Sequence, residues 1–417
     1  MPFDHLVVVM MENHSFDNIL GALGRTRSDV DGLTFDLDGN ATNFNPGTGD
    51  TPEVVTAFPF PNTAQAKHVV QTWRAAHRQI NGGAMDGFVR SARNVEPMGY
   101  YTSETLPFAY SVASTFTLAN RWFSSLPGPT YPNRRFLLAG TAYGGTVTKE
   151  SAVLESPPRG TIFDVLSRHG ISWADYFTDI PATMVIGSIL RRHWRQHRRM
   201  RRFFHDCAAG TLPAVSFVDP GAGVLASFVE TTSSRLPVLR KELAVIRARL
   251  QRAAQAGTQE SPQDMYYGEV WAHRMLEAVL RSPAWPRTLL IYTYDEHGGY
   301  YDHVPPPPAI APDDIPPKLQ PNDPPGGYDV YGPRVPAVVV SPYSKPGGST
   351  DVIHDHTSVL ATIEAKWNLP ALTRRDANAA TVMDFLDTGT AALLDPPELV
   401  GPSPTGKSGP ATPGTVA

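Results

Sequence analysis

The chain has a single cysteine, Cys207, among its 417 residues. One thiol excludes an intrachain disulfide framework and any zinc or iron–sulfur site built from several cysteines. No apolar run approaches the roughly 20 residues that a membrane-spanning helix requires. The net charge of −4 shows no large excess of either sign, so we expect no dedicated nucleic-acid binding.

An export signal is also missing from the N-terminus. Met1–Asp4 has no basic start, and it leads directly into the short apolar run Leu6–Met11. A signal peptide would have a longer apolar stretch and a cleavage site with small residues. We therefore expect a cytoplasmic protein, unless the chain is a processed form of an exported one.

Proline is abundant, with 40 residues against a usual share of about 5%. Prolines surround Gly128, crowd the stretch Pro305–Pro325 and recur in the last residues. The segment 394–417 also contains much glycine, serine and threonine, with too little apolar surface to offset the entropy of ordering. The sequence predicts one catalytic domain with inserted loops over residues 1–393 and a flexible tail over 394–417.

Short apolar runs alternate with helical patterns along the chain. The predicted strands are Leu6–Met11, Ala214–Val218, Thr288–Tyr292 and Val335–Val340, and the predicted helices include Ser234–Ala256, Tyr267–Leu280 and Val359–Lys366. This alternation indicates an α/β protein, a three-layer α/β/α sandwich with a mostly parallel sheet. Chemistry in such folds is found at the carboxyl ends of the strands.

Acidic motifs follow two of these runs. Glu12 and Asn13 come directly after the first strand, and Asp295 and Glu296 come after the third. Carboxylate and amide oxygens suit a hard cation, and carboxylates also bind Zn²⁺ or Mn²⁺. The alternatives are an ordinary helix start for the first motif and a solvated acidic turn for the second.

A third motif, Leu126–Arg135, places Thr130 in a proline-rich turn. A hydroxyl with little freedom is a good nucleophile once a metal or a base activates it. Asn133 and Arg134 could donate to a phosphate, because the guanidinium fork matches its oxygens. Taken alone, the motif could equally be a structural turn.

Several histidines lie near these motifs and could bind a metal or donate a proton. They are His68, His77, His297, His303, His354 and His356. Each of them could also be a structural or surface histidine. His356 stands before a predicted helix, which Asp355 or Thr357 could cap.

Six segments together resemble the bacterial phosphoesterase family of phospholipases C and acid phosphatases, within the alkaline-phosphatase-like superfamily. They are Glu12–Asp17, Asn81–Phe88, Gly128–Arg134, Asp295–Pro305, Arg334–Pro336 and Asp355–Leu360. The resemblance implies an alkaline-phosphatase-like fold and phosphate-ester hydrolysis through a phosphothreonine. It implies one divalent metal ion, for which Ca²⁺, Mg²⁺, Zn²⁺ and Mn²⁺ are all compatible.

The resemblance also implies roles for single residues. Thr130 would be the nucleophile, and Glu12, Asn13, Asp295 and Glu296 would hold the metal together with the Thr130 oxygen. The predicted substrate-binding side chains are Asn81, Asn133, Arg134 and His297. His68 or His77 would match an active-site histidine of the family, and His356 is a further catalytic candidate.

One position departs from the family pattern. Ser261 stands where members of the family carry a histidine. We also expect the protein to lack the long C-terminal extension of the larger phospholipases C. Three functions therefore remain open: a phospholipase C, an acid phosphatase acting on monoesters, and a catalytically impaired protein that binds anionic surfaces through Arg191–Arg202. That arginine-rich segment could equally be a solvated helix face.

Overall fold

The computed structural model describes residues 1–65, 69–149, 154–221, 257–261 and 263–404. The predicted helix Ser234–Ala256 and the candidate His68 lie outside the described residues. The described strands are β1 (His5–Met11), β2 (Phe44–Pro46), β3 (Val54–Thr56), β4 (Phe58–Pro59), β5 (Gly99–Tyr100), β6 (Thr117–Ala119), β7 (Trp173–Phe177), β8 (His197–Arg199), β9 (Val215–Asp219), β10 (Thr288–Tyr294), β11 (Ala337–Val340) and β12 (Ser349–Thr350).

Eight of these strands form one sheet in the order β12-β6-β11-β10-β1-β9-β7-β8. Among them, β11 runs antiparallel to both of its neighbours, while the other adjacent pairs are parallel. The prediction of a mostly parallel sheet is confirmed. The fourth predicted strand, Val335–Val340, is shorter than expected, because Val335 and Pro336 belong to the preceding loop. It also runs antiparallel to its two neighbours.

Helices cover this sheet in two groups. They are α1 (Phe16–Leu20), α2 (Trp73–Ile80), α3 (Phe88–Ala92), α4 (Pro107–Thr115), α5 (Thr130–Ala139), α6 (Ile162–Arg168), α7 (Gly187–His193), α8 (Met200–Ala209), α9 (Met265–Leu280), α10 (Thr357–Trp367) and α11 (Arg374–Ala377). In one group α9 packs against α4 and α8, and in the other α5 packs against α6 and α10. The α/β class is confirmed.

The central strands are buried along their whole length, as a sheet covered on both faces requires. Every residue of β10 is buried, and so are the last six of β1. The two strands pair from His5 with Thr288 to Met11 with Tyr294. They therefore end side by side, which brings the residues that follow them to one place at the sheet edge.

The last described residues lie against the domain. Leu399 packs on the hydrophobic core, and the backbone N–H of Val400 donates to Ser111 Oγ at 2.9 Å. Trp285 Nε1 donates to the carbonyl oxygens of Leu393 and Leu394. These contacts order the first part of the segment predicted as a tail, and residues 405–417 lie outside the described part. No described helix is long and apolar enough to cross a membrane.

Candidate active site

The ends of β1 and β10 bring the two acidic motifs together. Asn13 has a left-handed backbone, with φ of 64°, a conformation that asparagine tolerates better than most residues. This turn lets the Asn13 N–H donate to Asp295 Oδ1 at 2.9 Å. The same oxygen accepts from the Glu296 N–H at 2.8 Å. Asp295 thereby joins both motifs, and the predicted proximity of Glu12, Asn13, Asp295 and Glu296 is observed.

Thr130 lies at the first position of α5 and faces this edge. Its hydroxyl Oγ1 donates to Asn13 Oδ1 at 3.3 Å. The residue before it, Pro129, makes no side-chain cap to the helix. In the first turn the Tyr131 N–H donates to Thr148 Oγ1 at 3.3 Å and Pro132 has no N–H. The Thr130 N–H and the positive end of the helix dipole therefore favour a negatively charged ligand at the N-terminus of α5.

The turn before Thr130 is held by the side chain of Asn133. Its Oδ1 accepts from the Leu126 N–H at 3.2 Å, and its Nδ2 donates to the Gly128 carbonyl at 2.9 Å. The side chain is fully buried. The Asn133 amide therefore stabilises the turn before Thr130. This differs from the phosphate contact that the sequence predicted for it.

Arg134 is likewise turned inward. Its Nε donates to Asp295 Oδ2 at 2.9 Å, and its Nη2 lies 3.4 Å from Glu12 Oε1. Arg134 is 4% exposed, so its guanidinium serves here as a buried counter-charge. A phosphate contact would require it to share its donors with these carboxylates.

The site holds more negative charge than Arg134 neutralises. Burial raises the pKa of Glu12 to about 8, opposed by Arg134 and reinforced by Glu260, Asp295 and Asp179. Burial and the neighbouring Asp295 raise the pKa of Glu296 well above its ordinary value. Glu12 Oε2 and Glu296 Oε1 are buried and have no hydrogen-bond partner within the described residues. Buried carboxylate oxygens without partners fit a hard cation.

His297 stands beside this charge in a defined tautomer. Gln79 Nε2 donates to the carbonyls of Val70 and Gly299, so Gln79 Oε1 must accept from His297 Nε2 at 2.8 Å. Burial lowers the pKa of His297 to about 3, so the ring is neutral. Its unprotonated Nδ1 lies 3.4 Å from Glu296 Oε2. His297 therefore borders the site as an acceptor, and its predicted substrate contact stays a prediction.

The remaining predicted residues lie further back or elsewhere. His356 Nε2 hydrogen-bonds the Asp295 carbonyl oxygen at 2.6 Å, so His356 stabilises the backbone that follows β10. His77 Nδ1 bonds the Trp73 carbonyl of its own helix at 2.8 Å. Asn81 ends that helix with an exposed side chain whose Nδ2 donates to Asp86 Oδ1. The catalytic role of His77 and the substrate contact of Asn81 stay predictions.

Three acidic residues near the site were missed. Asp219 is the last residue of β9 and Asp179 follows β7; both interact with the site electrostatically, Asp219 with Arg134 and Asp179 with Glu12. Glu260 lies close enough to raise the pKa of both Glu12 and Glu296. A signal for Asp219 was present, because it directly follows a predicted strand. Asp179 gave none, since β7 was not predicted.

The buried residues Asp17, Asp302 and Arg334 form a separate cluster with the half-buried His303. The ligand atoms of Asp17, Asp302 and His303 lie within 4.8 Å of one another, close enough for a metal ion. Arg334, however, bonds Asp302 at 2.9 Å and Asp17 at 3.2 Å. The nearby carboxylates of Asp17 and Asp31 raise the pKa of His303 to about 10, against the effect of its burial, so its ring is also a cation. Two internal cations already compensate these acids, and the cluster clamps the two acidic motifs together.

A cavity of about 300 Å³ lies at the other end of α5, lined by residues such as Ala139, Thr141 and Arg374. Helix α5 has 10 residues, a length of about 15 Å. The cavity is therefore remote from Thr130 and is not part of the site.

The raised pKa of Glu12 predicts how the stability of the cation-free protein depends on pH. The folded state binds a proton that the unfolded state has lost between about pH 4.5 and 8, so stability falls as pH rises through this window. We expect calorimetry to show that the Tm of the wild-type protein falls as pH rises over this range. The fall should be smaller in Glu12→Gln, and a saturating divalent cation should reduce it in the wild-type protein. The difference between the two proteins isolates Glu12, because other buried acids titrate in both; equal slopes would contradict the prediction.

The chain is similar in sequence to several phospholipases C. It is 30% identical to non-specific phospholipase C1 of Arabidopsis thaliana over 95% of this chain and 73% of that protein. It is 28% identical to phospholipase C B of Mycobacterium tuberculosis over 92% of this chain and 77% of that one. A non-hemolytic phospholipase C of Pseudomonas aeruginosa is 26% identical, with 88% of this chain matching 54% of it.

The chain also matches solved structures at low sequence identity. The phosphonate monoester hydrolase of Agrobacterium radiobacter matches 92% of this chain and 77% of its own, with 11% identity and a TM-score of 0.40. A protein in the alkaline phosphatase superfamily from Vibrio parahaemolyticus matches 88% and 80%, with 11% identity and a TM-score of 0.34.

The family model of the Phosphoesterase family matches residues 3–370. This match covers most of the chain and includes all the predicted catalytic and metal-binding positions. Together with the phospholipase C relatives, it confirms the predicted enzyme class, a phosphoric ester hydrolase. The chain belongs to the Phosphoesterase family.

Proposed function

We propose that the protein is a metal-dependent phosphodiesterase of the phospholipase C type that uses Thr130 as its nucleophile. One observation supports this most strongly: the Thr130 hydroxyl is held at a helix N-terminus, hydrogen-bonded to Asn13, beside buried carboxylates with unpartnered oxygens. Phosphoryl transfer requires these parts, a positioned nucleophile and fixed positive charge opposite the phosphate oxygens.

Glu12, Asn13, Asp295 and Glu296 would hold one divalent cation together with Thr130 Oγ1. When bound, the cation would supply Lewis acidity, lowering the pKa of the hydroxyl and withdrawing charge from a phosphate oxygen. The oxygen donors are compatible with Ca²⁺, Mg²⁺, Mn²⁺ and Zn²⁺ alike.

The proposed reaction has two displacements. Thr130 Oγ1 loses its proton and forms a bond to phosphorus, and the bond from phosphorus to the alcohol leaving group breaks. Asn13 aims the hydroxyl, and the Thr130 N–H together with the positive end of the α5 dipole stabilises the charge on the phosphoryl oxygens. Water then attacks phosphorus, breaks the bond to Thr130 Oγ1 and returns the hydroxyl. His68 and His77 remain the candidates for protonating the leaving group.

The names of the relatives support a phospholipid head group as substrate. The alternative is an acid phosphatase acting on phosphomonoesters, which Ser261 in place of the family histidine leaves open. Ser261 lies near Glu260 and the acidic motifs, where it hydrogen-bonds Tyr300. The third reading, a catalytically impaired binder, is disfavoured because Thr130 and the acidic residues keep a common geometry.

A substrate panel tests the choice between the two hydrolases. We expect p-nitrophenylphosphorylcholine and dispersed phosphatidylcholine to be hydrolysed with a kcat/KM at least about tenfold above that of p-nitrophenyl phosphate. Release of p-nitrophenol and of phosphocholine would be measured, with Thr130→Ala as the blank for each substrate. A preference for the monoester would establish the acid phosphatase instead.

A further inference from the structure

The arginine-rich segment Arg191–Arg202 forms one side of the molecule, which we call the basic edge. It runs from the end of α7 through the 3₁₀ turn Trp194–Gln196 and β8 into the start of α8. β8 is the outermost strand on this side of the described sheet. The sheet therefore ends here in a strand that carries cationic side chains.

Two buried or half-buried acids neutralise part of this charge. Arg192 bonds Asp164 at 2.7 Å, and Arg198 and Arg202 bond Asp206 at 3.2 and 2.8 Å. Against the effect of burial, hydrogen bonds from His193 and Thr161 lower the pKa of Asp164, and hydrogen bonds from Tyr176 and Arg202 lower that of Asp206, so both acids stay ionised. With seven arginines in the segment, the basic edge keeps a large positive excess although the whole chain has a net charge of −4.

The excess charge points into solvent beside an indole. Arg191, Arg195 and Arg201 are exposed and make no ion pair with any residue in the described part of the chain. Trp194 is 65% exposed, and the Arg195 guanidinium lies 5.3 Å from the centre of its ring. An exposed indole among cations suits the boundary between anionic head groups and acyl chains, where tryptophan is enriched.

The basic edge also ends on the same side of the sheet as the active site. Arg199 pairs with Phe177, which pairs in turn with Asp219, the acid near Arg134. Arg199 donates to the carbonyls of Thr178 and Asp179, at the rim of the acidic site. Three strand spacings, about 14 Å, separate β8 from β1 across the sheet. The Arg199 end of the basic edge therefore lies beside the site, whereas Trp194 precedes β8 and follows His193, whose ring lies 5.4 Å from that of Trp173 at the start of β7.

We propose that the basic edge docks the protein on an anionic lipid bilayer. The choice of a bilayer over a nucleic acid rests on the exposed Trp194 and on the proposed function, because a phospholipid hydrolase acts on lipids in a surface. Arg191, Arg195 and Arg201 contact the head groups, Trp194 enters the interface, and the ion-paired arginines hold the edge in shape.

Vesicle co-sedimentation with the inactive variant Thr130→Ala tests this without hydrolysis of the lipid. We expect binding to phosphatidylcholine vesicles that contain phosphatidylglycerol, weak binding to phosphatidylcholine alone, and weakening by added salt. The triple change Arg191→Gln, Arg195→Gln and Arg201→Gln should raise the apparent Kd about hundredfold, since each arginine contributes about fivefold near an anionic surface. Trp194→Ser should raise it further.

The matched control is Arg25→Gln, Arg90→Gln and Arg281→Gln, which removes three exposed arginines from other elements and should leave binding unchanged. Equal loss in both triple variants, or retention of binding in the first, would overturn the proposal. Tighter binding to a DNA duplex than to the anionic vesicles would overturn the choice of ligand. The active protein carrying the same triple arginine change, with Thr130 intact, should hydrolyse p-nitrophenylphosphorylcholine at a rate near that of wild type. The two proposals can therefore fail separately. If the proposed function is wrong, the wild-type protein will not hydrolyse that soluble substrate, whatever the vesicle binding shows.

Discussion

Replacing Thr130 by alanine is expected to lower kcat at least about thousandfold on every phosphate ester that the protein hydrolyses. The change removes the hydroxyl that we propose as the nucleophile, together with the hydrogen bond that it donates to Asn13 Oδ1. Alanine is well tolerated in a helix, so α5 should form as before. Steady-state kinetics and a thermal melt would show lost turnover with a Tm near that of wild type.

Thr130→Ser is the matched control, because it keeps the hydroxyl and removes only a methyl group. We expect it to retain activity within about tenfold of wild type and to bind a divalent cation as wild type does. Turnover by Thr130→Ala close to that of Thr130→Ser would remove Thr130 from the mechanism.

Replacing Arg134 by methionine is expected to destabilise the cation-free protein by about 3–5 kcal/mol, the usual cost of leaving a buried charge without its partner. Asp295 would lose its 2.9 Å contact and Glu12 its 3.4 Å contact with the guanidinium. A bound divalent cation would replace much of the missing positive charge. Urea unfolding with and without saturating cation should therefore show a larger stabilisation in Arg134→Met than in wild type.

The neighbouring residue offers a matched control. Arg135 is equally buried, but its Nη1 bonds Glu155 at 3.1 Å and its Nε bonds the Val185 carbonyl, away from the acidic motifs. Arg135→Met should destabilise the protein without any extra response to the cation. An equal response in the two variants would mean that the cation binds elsewhere than beside Asp295 and Glu12.

The sequence predicted the central strands well because their burial on both faces leaves continuous apolar runs. β1 and β10 match the predicted runs at their starts to within a residue, and β9 is shifted by one. β7 and β8 were not predicted, because Asp175 interrupts the first and arginines fill the second. The antiparallel direction of β11 depends on the long loop that precedes it. The residues of Val335–Val340 do not indicate whether the strand runs parallel or antiparallel to its neighbours.

The pairing of the two acidic motifs could also be predicted, since parallel neighbouring strands end at the same sheet edge. The inward turn of Arg134 and the use of Asn133 in the turn could not, because a helix start presents several side chains in different directions. The tautomer of His297 depends on Gln79, which is distant in sequence. Such contacts arise from tertiary packing, which a linear motif does not contain.

The stereochemical course at phosphorus tests the central proposal most directly. A chiral phosphorothioate diester would be hydrolysed in ¹⁸O-labelled water and the configuration of the product determined by ³¹P NMR. Each in-line displacement inverts the phosphorus centre, so transfer first to Thr130 and then to water predicts net retention. Net inversion would show a single direct attack by water and would contradict the assignment of Thr130 as the nucleophile.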